Sequence, residues 1–496
     1  MARLVGQKRQ PAILATAALL AGACGGARAR PTVSPADAAC TAVPAPVPFA
    51  ESASVVSTWA IDPSNAPLPS NPGERFVFAH AYETLIRVDC LGRLMPGLAK
   101  SWTPVEGATR WRLVLRDRAR FRDGDGLTAS DVVASWRATG AAAPAVLARR
   151  LADGAVAIDD STLEIALPGS PLASLGDPES AVVRRDARAR WPEGTGPYRI
   201  RDAAPTSRTS LLLEPVSAAD GPRLTIHATG ASDARDLIDT GIDLLLTDDP
   251  ALAAYAAARP DFASMPLAWD RTWALLAPRR QPLGAASAVR SDSLAGLTFG
   301  FRSTLARDAV RSDARAAEGP YWWNDVASCG TTPATPARTT SSARASSRLV
   351  FRRDEPTARA LAERLVALAA IGRSDAPDTS LALLAPGLLE AGARATAAPL
   401  APDELTTALR AGSELAFVVS LPRHSLAPCR DVERLLMSAP WLTAGASPLE
   451  LSRRVAPLID TRLHAVVRRN RLGLTMAWDS TVTITAPAMA GGGARP

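Results

Sequence analysis

Trp111, Leu113 and Leu115 alternate with Arg112, Val114 and Arg116, the period of two expected of a strand with one buried face. Asp123-Gly124-Asp125-Gly126 follows, a run that accepts positive φ, so the chain is predicted to reverse there. Thr128 then stands where a helix needs a cap, and Asp131 three residues on completes a capping-box-like start. Val132, Val133 and Trp136 fall on one helical face, which should pack back onto the strand. Upstream, a strand is expected over 54–61, ending at Asp62-Pro63, and the prolines at 67, 69 and 72 keep the next segment irregular until Phe76.

Farther along, Leu163, Ile165 and Leu167 alternate with polar or small neighbours after Asp159-Asp160, which predicts a hairpin over 155–167. Residues 224–228, 232–239 and 241–246 read as strand, helix and strand, a βαβ unit that implies a parallel pair. A helix is expected over 304–317, and the Thr, Ser, Ala, Pro and Arg of residues 327–347 predict a mobile surface loop. Order resumes with a strand at 349–351, a helix over 356–369 whose Ala360, Leu361, Leu365 and Leu368 share a face, and a buried strand over 415–421.

Length and composition narrow the class. The chain has 496 residues, 47% apolar and 21% charged, enough for two or three lobes with a real core. The net charge of +7 is carried almost wholly by arginine, since Lys8 and Lys100 are the only lysines. No basic block is interleaved with aromatics, so no nucleic-acid partner is expected. Residues 1–23 read as an export signal: Arg3, Lys8 and Arg9, then the apolar run 13–20, too short to span a bilayer, then Ala21-Gly22-Ala23. Cys24 follows at once and is the expected lipidation site, with plain secretion as the alternative, because Ala21 sits where a larger apolar residue is usual. Residues 24–48 form a tether. Cys40, Cys90, Cys329 and Cys429 then allow three disulfide pairings, and none has metal-ligand spacing.

Tyr82-Glu83-Thr84-Leu85, Pro96-Gly97-Leu98-Ala99 with Ser101-Trp102, Phe121 with Asp123-Gly124, Leu127-Thr128-Ala129 with Asp131-Val132-Val133, and Gly194-Thr195-Gly196-Pro197-Tyr198 occur in that order. Their succession resembles the extracytoplasmic solute-binding proteins of the peptide and nickel class of ABC importers, family 5, over about a quarter of the chain. The resemblance implies an α/β, two-lobed periplasmic-binding-protein-like fold, with an extra subdomain in the first lobe and mixed sheets joined by a hinge. It divides the chain into a first lobe of residues 49–75, 196–270 and 440–490, an outer subdomain of 76–195, and a second lobe of 271–439. Trp269 to Leu276 matches the family's strand crossing between lobes along the cleft floor. Residues 457–459, 466–467 and 473–474 match its late returning strands, while the stretch from Ala285 to Ser347 departs from the pattern.

No catalytic motif, phosphate loop or calcium loop is legible, and His80, His227, His424 and His464 are scattered. Neither an enzyme nor a metal or other cofactor is expected. Trp269, Trp273, Tyr321, Trp322 and Trp323 are candidate walls of a ligand cleft, with Arg271 facing a ligand carboxylate. Against this stands a plainer reading, inter-lobe core for the aromatics and a solvated charge for Arg271. The resemblance implies a monomeric receptor outside the cytoplasm, lipid-anchored or periplasmic, that delivers an oligopeptide or other small solute to an ABC permease. Nickel complexes and sugars are the other solutes in view, and a sensor or scaffold, or a secreted hydrolase, are the alternative functions.

Overall fold

In the computed structural model, the residues described are 39–46, 50–105, 109–141, 146–167, 170–202, 210–229, 231–278, 299–310, 313–329, 347–371, 394–443 and 454–485. The export signal, Cys24, most of the tether and most of the 327–347 loop lie outside them.

Two long strands tie the molecule together. Phe262–Leu276 and Val455–Arg468 pair antiparallel along nearly their whole length. On one side Val455–Arg468 pairs with Leu244–Thr247, and the sheet continues through Ser52–Ser57, Arg223–Ala228, Ser210–Pro215 and Tyr198–Asp202. On the other, Arg271 to Leu276 pair with Ala416–Pro422, followed by Arg348–Arg352 and Thr396–Leu400. The result is one mixed sheet of 11 strands shared between two lobes.

Burial divides at the middle of the crossing strand. Phe262 and Leu267 join first-lobe clusters with Val56 and Leu246, whereas Trp273 and Leu275 pack with Phe351, Leu361 and Leu365 in the second lobe. Between them Ala268 is exposed and Trp269, Asp270 and Arg271 are half-buried. Register shifts fall between Pro266 and Trp269 and between Trp269 and Arg271, and such bulges bend and twist a pair of strands. The junction is therefore the one part of the strand that is both irregular and open to solvent.

The subdomain has its own core. Ala99–Val105, Arg110–Leu115, Thr162–Ala166 and Ala155–Ala157 form an antiparallel sheet in that order, covered by helices Ala129–Ala141 and Val146–Gly154. The predicted strand, turn and capped helix are all present. Gly124 takes a φ of +102° at the turn. The Thr128 N–H donates to Asp131 Oδ2 at 2.8 Å and the Asp131 N–H to Thr128 Oγ1 at 3.2 Å. Trp136 is wholly buried and its Nε1 donates to the Ser180 carbonyl at 2.8 Å. Gly196 lies against the backbone of Ala81, where a Cβ would stand 2.5 Å from the Ala81 carbonyl carbon, so the Gly-Thr-Gly turn docks only because it has no side chain there.

Several expectations shift. The strand expected over 54–61 is Ser52–Ser57, because Ser57 Oγ takes the Trp59 N–H and Asp62 caps a 3-10 turn at Pro63–Asn65, and it is preceded by a short strand, Thr41–Val43, within the expected tether. The two strands of the βαβ unit are parallel but not adjacent, since Ser52–Ser57 lies between them. The helix expected over 304–317 is Phe299–Val310, followed by a short strand Ala314–Ala316 on Val455–Arg468. Asp313 and Arg315 face partners on that strand, Arg462 and Asp460, which draws the segment out of helix. The late strands 457–459 and 466–467 are one 14-residue strand. The open cysteine pairing resolves to Cys40–Cys90 and Cys329–Cys429.

Candidate functional site

A cavity of about 150 Å³ opens at the junction, walled by both lobes and the subdomain. Asp270 of the crossing strand lines it, beside Arg75, which the Asn71-capped helix Pro72–Ala81 carries in its first turn. Trp478 and Asp479 enter from the turn before Val482–Ile484. Ser480, at a φ of +63°, holds that turn to the crossing strand by donating to the Ala268 carbonyl at 3.4 Å.

The second lobe supplies Pro422, His424 and helix Pro428–Ser438. This wall is pinned to the floor: the Arg423 N–H donates to the Asp270 carbonyl at 2.8 Å, and the Arg423 guanidinium pairs with the fully buried Asp460. Asp460 also accepts from Thr272 Oγ1 at 2.8 Å and from Arg315 at 3.2 Å, so its charge is answered.

From the subdomain come Asp177 and Glu179, in and before the 3-10 turn Pro178–Ser180. Arg430 pairs with Asp177 at 2.5 Å and with Asp431 at 2.6 Å, and Arg434 pairs with Glu179. Beyond the rim Arg150 meets Glu433 at 2.8 Å. Helix Pro428–Ser438 is thus clasped to the subdomain by charge. Burial pushes Asp270 and Asp431 above the usual carboxylate range, against the pull of Arg271 and Arg75 on the first and Arg430 on the second. Burial, with Arg423 beside it, lowers His424, so its imidazole is neutral at physiological pH.

None of the six residues singled out in the sequence lines this cavity. Trp273 is 1% exposed in the second-lobe core, its Nε1 donating to Thr461 Oγ1 at 2.9 Å. Tyr321 and Trp323 stack at 4.3 Å, and Trp322 stands edge-on to Trp323 with its Nε1 on the Pro422 carbonyl at 2.7 Å. These four are packing, and only through Pro422 does Trp322 reach the cavity wall. The guanidinium groups of Arg315 and Arg462 lie over the Trp269 ring, at 4.8 and 4.6 Å from its centre. Arg271 lies 3.9 Å from Asp248, as one counter-charge to Asp248, Asp270 and Glu355, all raised by desolvation. The residues missed, Arg75, Asp270, Trp478, Asp479 and Arg430, come from four distant segments and share no sequence period. Asp270 and Trp478-Asp479 carried one available signal, a charge placed within or just after an apolar strand. Among the described residues no group of His, Cys, Asp and Glu could hold a metal ion.

Residues 93–215 match the model of "Bacterial extracellular solute-binding proteins, family 5 Middle". The "Nickel-binding periplasmic protein" of Escherichia coli (strain K12) is 31% identical over 86 residues, 17% of this chain and 16% of that protein, so the sequence match spans a small part of the relative's length. The fold extends the likeness. A dipeptide binding protein from pseudoalteromonas sp. SM9913, solved with Met-Leu, aligns over 87% of this chain and 98% of its own at a TM-score of 0.59 and 12% identity. The oligopeptide-binding protein AppA from Bacillus subtilis, solved with a nonapeptide, aligns over 87% and 97% at 0.58 and 12% identity.

Proposed function

From a chain whose middle belongs to the family 5 extracellular solute-binding proteins and whose two-lobed fold is theirs, we propose a receptor that closes on a small solute between its lobes and presents it to an ABC permease. One observation carries this reading: a cavity at the lobe junction lined by charged side chains, whose walls come from three separately packed units and which Asp270 of the bulged crossing strand lines. Opening at those bulges would part the clasp between helix Pro428–Ser438 and the subdomain and expose the floor. Closing would bring Asp177, Glu179, Arg430 and Asp431 around whatever has entered.

The cavity's size favours a compact solute. About 150 Å³ is the size of a cavity that admits a benzene ring, so an oligopeptide would need the cleft to stand wider than it does here. In this reading the mature chain works outside the cytoplasm, anchored through Cys24, as a monomer with binding and no catalysis as its task. Among the described residues no helix is long and apolar enough to cross a membrane.

A thermal-shift screen of the mature chain against amines, peptides, sugars and metal chelates tests the proposal. A solute at 100 times its Kd should stabilise the folded form by about 2.7 kcal/mol. Silence from all four classes would overturn the receptor reading.

A further inference from the structure

We propose that a second, smaller cavity, on the seam between the subdomain and the edge of the shared sheet, binds a compact oxyanion of the phosphate or sulfate class, held by Arg122, Arg199 and the Tyr82 hydroxyl. The inference goes beyond the receptor reading and does not depend on it, since this cavity shares no lining residue with the one at the junction.

The cavity holds about 90 Å³. Helix Pro72–Ala81 ends beside it, residues 191–194 enter on the way to the Gly-Thr-Gly turn, and Tyr198–Asp202, the outermost strand of its sheet, closes it. Arg122 arrives from the subdomain turn that precedes the Thr128 cap. Its N–H donates to the Gly194 carbonyl at 3.0 Å and its guanidinium to the Thr195 carbonyl. The guanidinium of Arg199 in turn donates to the Arg122 carbonyl. Backbone contacts thus bring two cations from separately packed units to one place.

Their charge is not matched there. Four charged side chains line the cavity, and three are the arginines Arg122, Arg199 and Arg201. Glu193, the fourth, lies 3.4 Å from Arg199, and Arg201 pairs with Glu214 at 2.7 Å. Among the described residues Arg122 has no ion pair, and burial, the largest influence on it, works against its charge. The Nε atoms of Arg122 and Arg199 and the Tyr82 hydroxyl are buried and lack a hydrogen-bond partner among the described residues. Tyr82 itself is only 5% exposed. Tyr198 also lines the cavity, but its hydroxyl lies against Gly221 and is left out of the seat.

Buried donors without acceptors are unfavourable. Three around one cavity, two of them on guanidinium groups, call for an acceptor with negative charge and several oxygens, which a tetrahedral oxyanion supplies. The space is several times the roughly 10–15 Å³ that one water needs, so it admits such an ion. At the junction carboxylates outnumber guanidinium groups, the opposite balance, so an anion has reason to choose this cavity instead. Once bound, it joins Arg122 of the subdomain to Arg199 of the sheet, and its first effect is on stability.

The test is thermal denaturation and titration calorimetry of the mature chain with sodium phosphate and sodium sulfate at millimolar concentrations, against sodium chloride at matched ionic strength. At least one oxyanion should bind and raise the Tm where chloride does not. Arg122→Gln should weaken that binding about tenfold or more, as expected for the loss of a charge-assisted contact. Tyr82→Phe keeps the ring and removes only the hydroxyl. It should weaken binding several-fold while leaving the ion-free Tm unchanged or higher, because the hydroxyl has no partner to lose. This second variant decides the matter if Arg122→Gln fails to fold. Arginines with a merely structural role would lower the ion-free Tm of Arg122→Gln and leave the rise caused by the oxyanion intact. That result, unchanged affinity in Tyr82→Phe, an effect of chloride equal to that of the oxyanions, or no binding of either oxyanion would overturn the inference. The solute screen for the receptor reading contains none of these ions, so the two stand or fall separately.

Discussion

At the scale of single residues, burial decides which groups act and which merely pack. His80 shows the first kind of consequence. It is 2% exposed, its Nδ1–H donates to the Phe76 carbonyl at 2.7 Å, and its Nε2 accepts from the Ile484 N–H at 3.1 Å, tying helix Pro72–Ala81 to a C-terminal strand. The Nε2 bond requires the neutral ring, and burial pushes the group down from 6.5 to about 4 against the Phe76 bond, which favours the charged form. Between those values the unfolded chain binds the extra proton, so stability rises with pH through that window and is lost as the pH drops, and His80 contributes fully only above 6.5. The loss should reach roughly 3 kcal/mol by pH 4. Urea titrations at a series of pH values should show it in the native chain and show a flatter profile in His80→Gln; identical profiles would count against the assignment. Trp273 shows the second kind. Trp273→Ala should cost about 3–5 kcal/mol of stability, read from the denaturation midpoint, because the ring is core and not cleft wall.

Among the elements, those with local rules were legible and those set by distant partners were not. The strand, turn and helix from Trp111 to Trp136 follow from alternation, a glycine turn and a cap, all within one segment. The crossing and returning strands are different: each changes lobe midway, so its apolar pattern breaks at the bulges, and Val455–Arg468 reads from sequence as two pieces. The site escaped detection for the same reason. Its charges lie on four segments that only the folded sheet brings together, whereas the conspicuous aromatics of 321–323 found partners in the second-lobe core. The charged clasp gives this scale its prediction. Arg430→Ala strands Asp177 and Asp431 without their partner in a buried setting, and should cost about 3–5 kcal/mol; Arg150→Ala at the exposed pair with Glu433 should cost under about 1 kcal/mol. Equal effects in urea denaturation would mean that the clasp is not organised around Arg430.

The whole molecule is two packed lobes and a subdomain meeting at a polar junction, with both connecting strands bulged or open at that level. In the proposed receptor, closure, rather than any single contact, is the event that links binding to delivery. Small-angle X-ray scattering measures closure directly. The mature chain should have a smaller radius of gyration in the presence of a solute that raises its Tm, and Arg430→Ala, lacking the clasp, should shrink less under the same solute. A stabilising solute that leaves the radius of gyration of both chains unchanged would contradict the account.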